Sequence, residues 1–418
     1  MFSALCILAF TVWYGLHIAY NSPFFLAAPP SCLLWKRIQA IAGTLTSTSD
    51  CPELRNYKLP KETVKFWIFR TLFYYATLPL IDIFFLLDDV FYGDYQKCSL
   101  DDAVFVIGGF RSGTTSLHRA IHLDEERFVS PRMFEVQWPY IWLLKFFDWL
   151  EERDPSIVQK FEAKLQGALG EDIISRHPMT WHDAEEDDTL LASWHYSGWY
   201  AGAVFAHPET LIHSGLQNQL PESAQKKNFE LYKRAIQKIM YRRGNGRTLL
   251  AKNHMVNFLP ILSKELPNAK FVDIARHPKD SFCSWYALSQ SALSVLSRSS
   301  LPKEVAIPTH LRFWDYFTKA ETDFFIEGKG NGGTKNNRTL ITFNEYVKDQ
   351  EAIVRKLYKQ WGYKLKGTEF ERRLVAEKEK HRNHKKEAKY SNPTLKELGL
   401  TEEMMNERYA DYITKCRL

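Results

Sequence analysis

The stretch VFVIGGFRSGTTSLHRAI, Val104 to Ile121, decides how the rest of the chain reads. A short apolar run enters Gly108-Gly109-Phe110-Arg111-Ser112-Gly113-Thr114-Thr115, and a segment of helical spacing follows. Gly108 and Gly113 stand at the spacing of a P-loop, in which backbone N–H groups and a helix N-terminus hold a phosphate. A nucleotide-hydrolysing P-loop carries Lys directly after its second Gly. Here that position is Thr114, and the cation sits inside the loop at Arg111. With no lysine, and no evident acidic residue ending a second strand, the Mg-nucleotide apparatus of a kinase is poorly supported. An Arg within the loop neutralises a terminal anion or a leaving phosphate without a metal, so none is expected.

Outward from this loop, short apolar runs alternate with helical stretches. The expected strands are Ala103–Ile107, Thr248–Ala251, Lys270–Ala275 and Arg338–Thr342. The helical segments after them are Thr114–His122, Val256–Leu266, Asp280–Gln290 and Tyr346–Trp361. Such alternation predicts an α/β fold with a P-loop-type central parallel sheet flanked by helices. Residues 328–337, GKGNGGTKNN, read as a loop. The basic tail after Glu371 predicts a charged helix, a loop at Asn392–Pro393 and a last amphipathic helix from Thr401 to Lys415.

KFVDIARHPKDSFCSW, Lys270 to Trp285, offers a second anion site. A buried strand ends at Arg276, and Ser284 follows eight residues later across a strand-to-helix turn. A guanidinium and a hydroxyl so placed bind one phosphate. Together the two sites describe a ligand with two separate phosphate groups. Here the sequence resembles the P-loop sulfotransferases that use 3′-phosphoadenosine 5′-phosphosulfate (PAPS). The resemblance covers roughly residues 103–363, and its closest flavour is the branch shared by bacterial, membrane-bound carbohydrate and tyrosylprotein sulfotransferases. It implies that Arg111, Ser112, Gly113, Thr114 and Thr115 bind the 5′-phosphosulfate, and that Arg276 and Ser284 bind the 3′-phosphate. Lys252, in LLAKNHMVNFLP, stands where the family has a lysine, and with Arg111 is the candidate for stabilising the leaving phosphate. The usual Lys-[ST]-Pro is here Lys252-Asn253-His254, and the family's C-terminal RKG-type loop is not recognisable.

Sulfuryl transfer needs a base to take the acceptor's proton. By resemblance to tyrosylprotein sulfotransferases the first candidate is Glu135, in SPRMFEVQWP. The second is His182, because cytosolic relatives use a histidine. It sits in RHPMTWHDAEEDD, where five of the six residues Asp183–Asp188 are Asp or Glu. That acidic run reads as a solvated face. Trp181, Trp194, Trp199 and Tyr200 read as core more readily than as an acceptor site.

The N-terminal 100 residues differ in character. Phe2 to Tyr20 is a nearly unbroken apolar run with His17 as its one ionisable group, and it reads as a single transmembrane helix. A signal peptide is the rival reading. Phe66 to Tyr92 is apolar but carries Arg70, Asp82, Asp88 and Asp89, with Pro79 in the middle. It predicts an interfacial or buried helical hairpin. The expected division is therefore a membrane-associated region, 1–100, and a sulfotransferase domain with a basic C-terminal helical tail, 101–418. The Lys/Arg bias after the first run favours a cytosolic catalytic domain, and an endomembrane (ER/Golgi) location follows if the source is eukaryotic. Asn337-Arg338-Thr339 is a glycosylation sequon only if that domain is luminal.

The whole chain, 418 residues with 45% hydrophobic and 25% charged, has the make-up of a packed protein, which excludes wholesale disorder. Net charge is +6, and Arg372 to Lys389 supplies +5 of it, so a nucleic-acid coat is not expected. The six cysteines form no CxxC pair. Cys51 and Cys98 are available to pair in an oxidising lumen. The reading is thus a membrane-anchored, PAPS-dependent sulfotransferase acting on a hydroxyl of a lipid or sterol, a glycan or a protein tyrosine. A non-catalytic membrane scaffold that binds the desulfated nucleotide PAP or PAPS is the alternative, with a P-loop kinase behind it. The sequence sets neither the acceptor nor the oligomeric state.

Overall fold

The computed structural model describes residues 2–20, 26–35, 58, 60–178, 180–184, 187, 217–329, 337–383 and 391–418. Two helices come first, α1 (Phe2–Ala19) and α2 (Lys61–Tyr92). β1 (Val104–Gly108) runs into α3 (Thr114–His122), followed by β2 (Phe128–Val129), α4 (Met133–Gln137) and α5 (Ile141–Arg153). Further along, α6 (Glu222–Arg243) leads to β3 (Thr248–Asn253). β4 (Lys270–Ala275) precedes α7 (Pro278–Leu296) and α8 (Lys303–Glu321). β5 (Arg338–Thr342), α9 (Gln350–Trp361) and a closing α10 (Ala410–Cys416) complete the elements that matter here.

The strands form one parallel sheet in the order β2-β3-β1-β4-β5. Period-two alternation divides their side chains between two layers. Phe105 and Ile107, with Leu249, Ala251 and Phe271, face one layer together with residues of α2, α6, α7 and α8. Val104 and Val106, with Leu250, Val272 and Ile274, face the other with residues of α3 and α9. Burial on both faces is why these strands read as continuous apolar runs. The chain leaves β1 toward β2 while β4 lies on its other side. Parallel sheets open their ligand crevice at such a point, at the carboxyl ends of the strands.

β4 and β5 have the expected ends. β1 begins one residue later than expected, and β3 runs two residues further, to Asn253. The helix expected over Tyr346–Trp361 is two, broken at Asp349, whose carboxylate accepts the Ala352 N–H (3.1 Å) and so caps the second. The final helix is likewise split at Tyr409.

The second apolar stretch is corrected more substantially. It is no hairpin: α2 is one 32-residue helix with Pro79 inside it. Thr77 Oγ1 donates to the Tyr74 carbonyl (2.8 Å) within the turn that the proline interrupts. By length and composition the segment Lys61–Lys97 is apolar enough to cross a membrane. Trp67, Leu78 and Phe85 nevertheless join the same core cluster as Phe105 and Ile107, so packing is continuous across residue 100. Its acidic residues are tied down as well. Asp82 accepts from Tyr14 Oη (2.6 Å) and the Ala27 N–H (2.8 Å). Asp88 accepts the Ile141 N–H (2.9 Å) and pairs with Lys238 (3.0 Å), both fully buried.

Candidate active site

The phosphate loop turns on backbone that few residues tolerate. Arg111 has φ +64° and Gly113 φ +99°. A Cβ on Gly113 would also lie 3.1 Å from the Phe343 ring. Gly108, where β1 ends, has even less room: a Cβ there would sit 2.9 Å from Asp273 Oδ1 and 3.0 Å from Ser112 Oγ. Immediately after Gly113 the helix α3 begins, so its first N–H groups, which have no partner within the helix, open onto the loop.

Arg111, Gly113, Thr114, Thr115, Arg276 and Ser284 line one cleft of about 450 Å³ at the carboxyl end of the sheet. Segments more than 160 residues apart are therefore brought together as the sequence implied. Arg111 Nε donates to Ser284 Oγ (3.0 Å), and Arg111 Nη1 to the Arg176 carbonyl (3.1 Å). Arg276 Nη1 donates to the Arg111 carbonyl (2.7 Å), and its guanidinium lies over the Phe343 ring at 4.1 Å. Arg276 Nε is buried with no hydrogen-bond partner among the described residues. Burial lowers the Arg276 pKa, with neighbouring Arg111 adding to the fall and Asp280 opposing it. Ser112 is buried beneath the loop.

Below Gly108, Asp273 is fully buried. That burial, reinforced by the adjacent Glu321, raises its pKa well above the usual carboxylate range. A neutral carboxyl at this point does not repel an anion in the loop.

Several wall residues were not anticipated. His254 is buried in the cleft, its Nδ1 2.8 Å from the Gly108 carbonyl and its ring 4.3 Å from that of Phe110. His177, Phe343 and Asn392 also line the cleft. Asn392 is placed there by Arg176, which donates to its side chain (2.8 Å) and to the Ser391 carbonyl (3.1 Å). The signal for His254 was present two residues after Lys252. It read only as a departure from Lys-[ST]-Pro.

The remaining candidates lie elsewhere. Lys252, one residue before the end of β3, is fully buried, its carbonyl accepting the Asp187 N–H (3.0 Å). It helps to hold down the pKa of buried His118, after the larger effect of burial. Glu135 is fully buried on α4 and is not among the residues lining the cleft. One carboxylate oxygen accepts from Arg242 and from Arg243 Nε (2.7 Å), the other from Arg243 Nη2 (2.7 Å) and the Arg132 N–H (2.8 Å). These four donors take up its four lone-pair directions. His182 is half-exposed, bonded to Glu151 (2.7 Å) and near Arg132 (3.4 Å). Arg132 thus joins the two expected bases into one network.

Trp181 is core, stacked on Phe134 at 5.0 Å; Trp194, Trp199 and Tyr200 lie outside the described residues. The acidic run is not uniformly solvated, for Asp187 is buried and accepts from Tyr232 Oη (2.5 Å). Cys98 is a free thiol, and Cys51 lies outside the described residues.

Residues 103–367 match the model of the sulfotransferase family. The chain belongs to that family. Among curated proteins, the chain is similar to the omega-hydroxy-beta-dihydromenaquinone-9 sulfotransferase Stf3 of Mycobacterium bovis and of Mycobacterium tuberculosis. Each is 25% identical over 185 residues, 43% of this chain and 42% of the relative. The match thus spans about two fifths of those relatives. Two solved structures share the fold. Sulfotransferase STF1 from Mycobacterium tuberculosis has a TM-score of 0.63 at 18% identity, over 90% of this chain and 92% of its own. Sulfotransferase STF9 from Mycobacterium avium has 0.62 at 15%, over 95% and 96%.

Proposed function

We propose that this sulfotransferase moves the sulfuryl group of PAPS to a hydroxyl acceptor in line, without a metal. The observation that carries the reading is the convergence of Arg111, Arg276 and Ser284 on one cleft at the start of α3, with Thr114 where a kinase has lysine. A cleft of about 450 Å³ suits a nucleotide-sized ligand. The N–H groups from Gly113 to Thr115 and the Arg111 guanidinium take the 5′-phosphosulfate. Arg276 and Ser284 take the 3′-phosphate.

For the base we favour His254 ahead of Glu135 and His182. Its Nδ1 faces a carbonyl, which only accepts, so in the neutral ring Nδ1 carries the proton and Nε2 the lone pair. The acceptor oxygen bonds to sulfur, and its proton passes to Nε2. The bond from sulfur to the 5′-phosphate oxygen breaks with its electron pair on the phosphate, beside Arg111. A role for Glu135 as base requires that one of its four donors give way. As it stands, it ties together Arg132, Arg242 and Arg243. The acceptor class we favour is an apolar alcohol, supported by the quinone-type acceptor in the name of Stf3.

The test is conversion of PAPS to PAP by the full chain, followed by chromatography with and without a membrane lipid extract. Extract-dependent PAP formation in the presence of EDTA supports the reading. Tight PAP binding with no turnover would favour the scaffold, and Mg-ATP consumption the kinase.

A further inference from the structure

The helix α2 buries apolar and polar residues together and leaves apolar ones outside. Its inner face carries the polar residues Thr71, Asp82 and Asp88, all buried. From Ile68 to Phe91 its exposed positions carry only apolar side chains among the described residues. Phe69, Leu72, Phe73, Leu80, Val90 and Phe91 are between 52% and 76% exposed. These positions recur at helical spacing on one side, so they form one stripe roughly 35 Å long. Water-facing helices show the reverse pattern, and a patch of this size on a soluble protein marks a binding surface. We infer that this stripe lies in the plane of a lipid bilayer, with the catalytic body resting on one leaflet and α2 not crossing.

Three observations favour lipid as the occupant. First, α1 has no Asp, Glu, Lys or Arg on any side and docks on α2 through Tyr14 and Asp82. Its exposed Phe10, Trp13 and Leu16 extend the apolar surface, and a helix without a polar face has no other solvent. Second, α5, which meets the end of α2 at Tyr92, carries aromatic and cationic pairs. Lys145 lies over Tyr92 (4.5 Å) and Arg153 over the exposed Trp149 (4.3 Å), the pairing found at the headgroup level. Third, the body grips α2 along its whole length. Arg70 donates to the Leu296 carbonyl (2.7 Å) near one end, and Asp89 pairs with Arg234 (3.1 Å) near the other. An upright α2 would carry those charged contacts into the hydrocarbon, whereas a flat one leaves them on the aqueous side. The same α7 that bears Ser284 ends at Leu296 on α2, so the nucleotide cleft is held about 18 Å along that helix from the lipid-facing element.

This inference goes beyond sulfuryl transfer and is tested without it. The full chain is floated with neutral phosphatidylcholine vesicles at 0.5 M salt, beside the single variants Phe69→Asp, Leu80→Asp and Phe91→Asp. PAP affinity reports that each variant is folded, and sedimentation reports oligomeric state. The expected result is wild-type flotation and a weakening of roughly tenfold or more for each variant to a similar degree. A penalty concentrated at Leu80, with the ends tolerated, would mean an upright span and overturn the in-plane geometry. Variants that float like wild type would leave α1 as the sole anchor. Wild type that stays off vesicles and sediments as a dimer broken by the same substitutions would make the stripe a contact between copies. Either outcome overturns the proposal.

Discussion

Arg276 Nη1 donates to the main-chain carbonyl of Arg111 at 2.7 Å, so the arginine of the second anion site braces the left-handed backbone of the first. The two proposed phosphate sites are therefore joined directly. Removing Arg276 takes away the phosphate ligand proposed above and a hydrogen bond to the loop that presents Arg111. Arg276→Ala is expected to weaken PAP binding by roughly ten- to a hundredfold, with Arg276→Lys intermediate because it cannot span both roles. Calorimetric titration with PAP checks this, and an unchanged affinity would remove Arg276 from the site.

The three candidate bases separate by substitution. His254→Asn is expected to lower kcat by about 10²–10⁴ while PAP affinity stays near wild type. His182→Gln should leave kcat within a few-fold. Steady-state kinetics on all variants decide the assignment. A large loss in Glu135→Gln, with full stability and unchanged PAP binding, would return the role to Glu135.

Glu135 makes a separate prediction about stability. Its carboxylate is buried between Arg242 and Arg243, and Glu135→Ala leaves Arg242 only its Asp148 pair and Arg243 only the Ser130 carbonyl among the described residues, both guanidiniums having little access to water. Losing one partner of such a buried network costs about 3–5 kcal/mol. Urea denaturation should show the loss as a lower midpoint. A change below roughly 1 kcal/mol, the scale of an exposed ion pair, would mean that the network contributes little.

Acid sensitivity follows from buried histidines. His310 is enclosed between Ala306, Ser289 and Trp285, and burial pushes its pKa down to about 4 from 6.5. Between those values the unfolded chain binds a proton that the folded protein refuses. Stability from this residue is therefore complete above pH 6.5 and falls as pH drops toward 4, by at most about 1.4 kcal/mol per pH unit. His118 acts in the same direction. Asp273, raised by burial, acts in the opposite one, so the informative quantity is the difference between wild type and His310→Asn. The variant's melting temperature should fall less steeply from pH 6.5 to 4.5. Parallel pH profiles would contradict the assignment.

The sheet was legible because its strands are buried on both faces, and apolar runs such as Lys270–Ala275 announce themselves. β2 was not, since it pairs over only Phe128 and Val129, too few residues to leave a pattern. That Arg111 and Arg276 share one cleft was legible because glycine spacing and strand ends fix where those side chains emerge. The surroundings of Glu135 were not, because its partners Arg242 and Arg243 lie over 100 residues away on α6 and look like any basic helix end. In α2, Pro79 and the buried aspartates suggested interruption. Tertiary partners, Lys238 and the Ala27 and Ile141 N–H groups, make those aspartates compatible with an unbroken helix.

The central claim is that the cleft passes a sulfuryl group from PAPS to an acceptor alcohol. The direct measurement is to incubate the purified chain with sulfur-labelled PAPS and host membrane lipids, then partition the products between organic and aqueous phases. The account predicts label in the organic phase, lost in Arg111→Ala and His254→Asn. PAP binding with label left entirely on PAPS, whatever lipid, glycan or protein is supplied, would contradict it.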